Sequence, residues 1–256
     1  MINILLIGCL GRLGIEISNY VKTLRDYKII AGIDKKQDIN KILNYKVYNN
    51  IKEMIDNNII ADVVIDFSHP SALGMALEIS KTIAAPLVLG TTGIDDLKKR
   101  EIIKTSKLIP VFWSANMALG VNILANVCKY IVNESNDAFE IDIIEKHHNK
   151  KIDSPSGTAN MIAGVIKRES KKIYGAEKII ISDNYKLDEE RNKEEIRIYS
   201  LRSGNISGEH TVMFTSEDEI LTVSHVASSK TVFAKGAIRA VNYIIRKKPG
   251  LYGVMS

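Results

Sequence analysis

Residues 145–159 read EKHHNKKIDSPSGTA, which sets two adjacent histidines and three lysines ahead of a Pro-Ser-Gly-Thr turn. Ser156, Gly157 and Thr158 open a predicted helix. A helix start offers hydroxyls and unsatisfied backbone N–H groups to a carboxylate or phosphate. Lysines and a histidine on the loop before it are cationic partners for the same anion. A histidine beside a lysine also supplies a proton donor near neutral pH. A metal site is the weaker reading, and no metal is expected. In a strand over 140–148, His147 and His148 point to opposite faces and cannot share one ion. His69, His210 and His225 are scattered and complete no tetrahedral set. Lys146 and Lys150 read as solvated.

A second group of residues suits a phosphate. Gly8-Cys-Leu-Gly11-Arg12-Leu13-Gly14 lies where the apolar run Ile2–Ile7 gives way to helical spacing. Glycines there permit a tight turn and let a pyrophosphate approach a helix N-terminus, where amides and the helix dipole favour anions. The spacing is G-x-x-G-x-x-G rather than G-x-G-x-x-G, so position carries more weight than pattern. Asp34 lies twenty residues beyond Gly14 at the end of a second strand, placed to bond an adenosine ribose. Lys35 and Lys36 follow it. The carboxylate favours NAD and the lysines favour the 2′-phosphate of NADP, so use of NADH and/or NADPH is expected. Gly90-Thr91-Thr92-Gly93 and Ser114-Ala115-Asn116-Met117 each follow an apolar strand, on the edge where open α/β sheets bind ligands.

The elements that must carry these residues fall into two patterns. Up to about residue 117, short β-branched runs alternate with helical spacing, and the strands are apolar throughout. That predicts a parallel sheet covered on both faces. Beyond it come a long helix over 120–135, a strand over 140–148 and a helix from residue 158. A polar stretch over 174–193 reads as a loop. Three strand-like runs and a closing amphipathic helix complete an α+β pattern.

Composition sets the outer bounds. The 256 residues carry a net charge of +5, 45% hydrophobic and 25% charged residues, as in an ordinary globular protein. The basic residues form no block and no basic-aromatic stripe, which argues against nucleic acid. No run reaches membrane-spanning length and no signal segment is evident. Cys9 and Cys128 lack metal-ligand spacing and read as reduced buried thiols. A cytoplasmic protein without a membrane partner is expected.

Seven segments, taken together, resemble the dihydrodipicolinate (4-hydroxy-tetrahydrodipicolinate) reductase family nearly end to end. They are GCLGRLG, DFSHP at 66–70, GTTG at 90–93, SANMALGVN at 114–122, EKHHNKKIDSPSGTA, GEHTVMF at 208–214 and HVASSKTVFAKGA at 225–237. The resemblance implies an α/β Rossmann-like parallel-sheet domain over 1–117, with a C-terminal helix over 230–256 returning to it. It implies an α+β substrate domain with a four-stranded mixed sheet over 118–229, through which subunits form a homotetramer. It implies that Gly8, Gly11, Arg12 and Leu13 hold the pyrophosphate and Asp34 the ribose. Gly90, Thr91, Thr92, Ser114, Ala115, Asn116 and Met117 would line the nicotinamide side. His147 and Lys151 would be catalytic, and His148, Gly157 and Thr158 would bind substrate with Ser156 at the same helix start. The implied reaction is hydride transfer to a cyclic imine dicarboxylate in diaminopimelate and lysine biosynthesis. The chain departs from the family pattern at Leu10, His69 and Lys230. Two other readings stand beside this one: another two-domain NAD(P)-dependent imine or amino-acid oxidoreductase, and a non-catalytic dinucleotide sensor.

Overall fold

A computed structural model describes residues 1–35, 43–182 and 190–253. The chain divides into two compact units, Met1–Ala118 with Lys230–Ser256, and Leu119–Ser229.

The first unit is built on seven parallel strands: β1 (Ile2–Ile7), β2 (Tyr27–Ile33), β3 (Lys46–Tyr48), β4 (Val63–Asp66), β5 (Leu87–Leu89), β6 (Pro110–Trp113) and β12 (Gly250–Tyr252). Their order across the sheet is β12-β6-β5-β4-β1-β2-β3. The apolar strands follow from this arrangement, because successive side chains serve different cores. Leu5 and Ile7 join one buried cluster with Leu73 and Leu77 of α3 (Leu73–Thr82) and Ile102 of α4 (Asp96–Ser106). Ile4 and Leu6 join another with Ile17 and Val21 of α1 (Arg12–Lys22) and Ala237, Ile238 and Val241 of α7 (Thr231–Ile244). Full burial of one such aliphatic side chain contributes roughly 1.5–3 kcal/mol. A short helix, α2 (Ile51–Asp56), connects β3 to β4.

The second unit has the sheet order β11-β10-β7-β9-β8, with β7 (Glu140–His147), β8 (Ile179–Ser182), β9 (Glu195–Arg202), β10 (Glu209–Thr215) and β11 (Ile220–Val226). Strands β7, β8 and β9 are parallel, and β10 runs antiparallel to β7 and β11. Burial alternates strictly along β7 and β10, the mark of a sheet with one covered face. Helices α5 (Leu119–Glu134) and α6 (Gly157–Tyr174) supply that cover.

Two stated expectations are corrected by the structure. The mixed sheet has five strands rather than four. The extra one, Ile179–Ser182, lies inside the stretch read as a loop and is a half-exposed edge strand whose polar flanks mask it. The closing helix ends at Ile244 instead of running to residue 256. Pro249, which restricts the residue before it to extended backbone, precedes β12, and residues 254–256 lie outside the described ones. A 3-10 turn over Pro70–Ala72 leads into α3.

Candidate active site

In the second unit the buried face of β7 reads Ile141, Ile143, Glu145, His147. The pattern that packs isoleucine into the core thus delivers a carboxylate and an imidazole to the strand's end. His147 Nδ1 lies 2.5 Å from Glu145 Oε2. Register sets Arg202 of β9 opposite His147, and its guanidinium grips Glu145 through both nitrogens, Nη1 to Oε2 at 2.9 Å and Nη2 to Oε1 at 2.7 Å. The backbone N–H of Ser156 donates to Glu145 Oε1 at 3.0 Å, tying the start of α6 to the same carboxylate. Burial pushes the Glu145 carboxyl up. The hydrogen bonds from His147 and Arg202 outweigh it and hold the group well below the usual carboxylate range.

His210 of β10 pairs across from Glu145, and its ring meets His147 edge-on with centroids 5.2 Å apart. Burial, then the charge of His147, push His210 down to about 3, so it is a neutral ring at physiological pH. Its Nε2 lies 3.1 Å from Ser156 Oγ, and that hydroxyl also accepts from Ala159 N as the N-cap of α6.

The sequence-predicted residues of this unit therefore separate. His147 is buried at the centre of the cluster. Ser156 spends its N–H and hydroxyl on Glu145, His210 and Ala159, so its part is to hold the turn. Gly157 and Thr158 begin the helix, where first-turn amides have no intrahelical acceptor. Lys151 sits in the loop after β7, with its ammonium 2.7 and 2.8 Å from the Asp153 oxygens. Arg202 also donates to the Asp153 carbonyl at 2.7 Å, which anchors that loop to the cluster. His148 lies just past the strand, half-buried and out of phase with His147. Glu145, Arg202 and His210 were not assigned a role from the residues. The signal for Glu145 was available: it falls in phase with two isoleucines and His147, where a solvated acid has no place.

In the first unit the order of strands reverses at β1, and a cleft of about 300 Å³ opens at its carboxyl end. Gly8, Gly11, Asp34, Lys35, Ser68 and His69 line it. Gly8 has φ +78°, and a β-carbon there would lie 2.6 Å from the Phe67 carbonyl oxygen. Gly14 permits close packing of α1 on the turn, since a β-carbon would stand 2.1 Å from the Gly8 carbonyl oxygen. Gly11 caps α1 without a side chain, leaving the first amides beside exposed Arg12 and half-buried Leu13. Leu10 N donates to Asp34 Oδ2 at 2.9 Å, so the acid also braces the turn. These residues fit a dinucleotide: a helix N-terminus for the pyrophosphate, an acid at the next strand, and a cleft of nucleoside size. Lys36 lies outside the described residues.

The remaining predicted positions of this unit are more structural than expected. The Thr91 hydroxyl donates to Asp66 Oδ2 at 3.1 Å and accepts from Ser68 N at 3.2 Å. Gly90 packs on the Phe67 ring, and Thr92 is exposed. Ser114 Oγ donates to the Asn116 carbonyl at 2.7 Å, and Asn116 Oδ1 accepts from Ala118 N at 2.9 Å. Ala115 is half-buried, and Met117 belongs to the core beneath α7. Among the described residues no helix is long and apolar enough to cross a membrane, and no cluster of three His, Cys, Asp or Glu could hold a metal ion.

Comparison with known proteins points one way for both units. Residues 2–117 match the family described as dihydrodipicolinate reductase, N-terminus, and residues 120–256 the one described as dihydrodipicolinate reductase, C-terminus. A 4-hydroxy-tetrahydrodipicolinate reductase of Clostridium novyi is 41% identical over 98% of this chain and 96% of its own length. One from Caldanaerobacter subterraneus subsp. tengcongensis is 37% identical over the same shares. Among solved structures, a dipicolinate-bound dihydrodipicolinate reductase from Paenisporosarcina sp. TG-14 superposes with a TM-score of 0.77. It is 21% identical, covering 100% of this chain and 98% of that one, a likeness of fold.

Proposed function

Because the chain belongs to the dihydrodipicolinate reductase family, we propose that it reduces the cyclic imine dicarboxylate of the diaminopimelate route to tetrahydrodipicolinate, with His147 and Lys151 handling the proton. It is a pyridine-nucleotide oxidoreductase of lysine biosynthesis. The observation that carries the residue assignment is the buried imidazole of His147, hydrogen-bonded to a carboxylate that the start of a helix also holds. Bound NADH or NADPH supplies the hydride.

Hydride addition to a conjugated imine leaves electron density on carbon and nitrogen. Lys151 is the flexible cation that stabilises it, turning from Asp153 to the substrate. His147 delivers or relays the proton that completes the reduction. The first-turn amides at Gly157 and Thr158, with His148, receive a substrate carboxylate. A planar dicarboxylate is the ligand in the Paenisporosarcina structure, in keeping with such a site. In the first unit, Gly8, Gly11, Arg12 and Leu13 take the pyrophosphate and Asp34 the ribose. Lys35 stands ready for a 2′-phosphate. The loops at 90–92 and 114–117 shape the nicotinamide side. The domains divide the work accordingly, 1–117 with the closing segment for the cofactor and 118–229 for substrate. Ile220, Leu221 and Val226, exposed on the edge strand β11, support a homotetramer built through that sheet. Buried free Cys9 and Cys128 suit the reducing cytoplasm.

The test is a coupled assay in which the synthase condenses pyruvate with aspartate semialdehyde and NAD(P)H absorbance is followed. Oxidation with at least one cofactor is expected, and none with either rejects the reaction. His147→Ala and Lys151→Ala are each expected to lower kcat by roughly 10²-fold or more. Near-normal kcat in both removes them from the mechanism.

A further inference from the structure

A carboxylate with 0% exposure needs its lone pairs answered, and Glu145 has two partners on each oxygen. Oε1 accepts from Arg202 Nη2 and Ser156 N, and Oε2 from Arg202 Nη1 and His147 Nδ1. An ionised carboxylate has no proton to give, so the hydrogen in its bond to the ring sits on Nδ1. The other ring nitrogen, Nε2, borders Gly208, where a β-carbon would stand only 3.2 Å away. The glycine keeps the space before Nε2 clear.

Resting on the reductase reading, we propose that Glu145 and Arg202 are positioning residues for His147. Glu145 holds the Nδ1 proton inward so that Nε2 is the nitrogen offered to substrate. Arg202 pins the carboxylate so that it neither turns away nor takes that proton. The donor form is the imidazolium, hydrogen-bonded to Glu145 through Nδ1–H. It passes its Nε2 proton to the reduced substrate, leaving a neutral ring that still bonds Glu145 through Nδ1–H, and water restores the Nε2 proton. The charged and titratable groups around His147 are Glu145 on its own strand, Arg202 from β9, His210 from β10, and Lys151 and Asp153 from the following loop. His210 is neutral, so the carboxylate is the group fixed by direct hydrogen bonding to the ring. Arg202 balances its charge through the two hydrogen bonds of its guanidinium.

Ring-nitrogen NMR on the full ¹⁵N-histidine-labelled protein tests the geometry without relying on turnover. The chain has five histidines, so a His147→Gln spectrum assigns the signal. At a pH where the ring is neutral, His147 is expected with Nδ1 protonated and Nε2 bare, and in Glu145→Gln this form is expected to be lost or mixed. A wild-type His147 protonated only on Nε2 overturns the proposal. In the coupled assay Glu145→Gln is expected to lower kcat by roughly 10²- to 10⁴-fold, the upper figure being the loss of a wrong-tautomer variant in another His–carboxylate pair. The alkaline limb of its kcat profile is expected to move to lower pH, with KM for NAD(P)H within about two-fold of wild type. Arg202→Lys, which keeps charge but loses the fork, is expected to fall between the two. Wild-type kcat with an unmoved limb in both variants overturns the proposal. A wild type that turns over no substrate rejects the reductase reading instead, and the ring spectrum still decides the positioning role.

Discussion

Two carboxylates, one in each unit, have no exposed surface and yet opposite acid–base character. Asp66, at the end of β4, accepts from Ser68 Oγ at 2.5 Å, Ser68 N at 3.0 Å and Thr91 Oγ1 at 3.1 Å, all neutral donors. Burial dominates, and its carboxyl is pushed up to about 6. Glu145, near the end of β7, meets a guanidinium and an imidazole in less densely packed surroundings, and is held low. Dipoles of hydroxyls do not replace what water does for a full charge, whereas a cation in direct contact does. The difference sorts the two by task. Asp66 joins the loops at 67–69 and 90–92, while Glu145 stays ionised beside the imidazole proposed to handle the proton.

The largest expected effect comes from leaving one of these acids without its partner. Arg202→Met strands a buried carboxylate, and such losses cost about 3–5 kcal/mol. Thr91→Val takes one neutral donor from Asp66 and is expected to cost about 1–2 kcal/mol. Urea denaturation of both variants at pH 7 measures the contrast. Equal losses break it, since they make the cation no more valuable than a hydroxyl.

Acidity sharpens the same contrast. Asp66 has a folded-state pKa above its ordinary 3.8, so the folded chain binds the proton more tightly than the unfolded one. Its stabilising share is complete below about 3.8 and is lost as pH rises to about 6. Glu145 runs the other way: its share is present above the ordinary carboxylate range and is lost as pH falls below it. Asp66→Asn removes the first dependence. The stability of that variant relative to wild type is expected to rise by about 3 kcal/mol from pH 3.8 to above 6. A pH-independent difference between the two melting curves would show that Asp66 titrates alike in the folded and unfolded chains.

The sequence made the first unit's sheet and the phosphate turn legible, because apolar strands and glycines at a strand-to-helix junction leave few alternatives. It also marked residues 145–159 with Ser156 at a helix start, while the choice of His147 came from the family resemblance. It did not reveal β3, α2 or β12, which are only three to six residues long and carry too little periodicity. It missed Arg202 and His210 for a different reason. Their roles depend on cross-strand register over 57 and 65 residues of chain from Glu145, and no local pattern encodes that pairing. Thr91 and Ser114 were placed on the correct sheet edge, but their hydroxyls bond within the protein, a matter of rotamer and loop geometry that spacing does not express.

The smallest expected effect concerns an exposed charge. Asp34 and Lys35 stand together in the nucleotide cleft, Asp34 braced by the neutral amide of Leu10 and Lys35 open to solvent. If burial is what made the cation at Glu145 valuable, a cation in water should be worth little. Exposed pairs contribute roughly 0.2–1 kcal/mol. Lys35→Ala is therefore expected to lower kcat/KM for NADPH only about three- to five-fold and to leave NADH within about two-fold. The wild-type ratio of the two cofactors should stay below about 100-fold, because the carboxylate and the lysine pull in opposite directions. A loss beyond about 100-fold with NADPH in the variant would mean that Lys35 meets its phosphate in a desolvated site. The contrast between the two units would then lie in which anions are buried, since both would use cations in the same way.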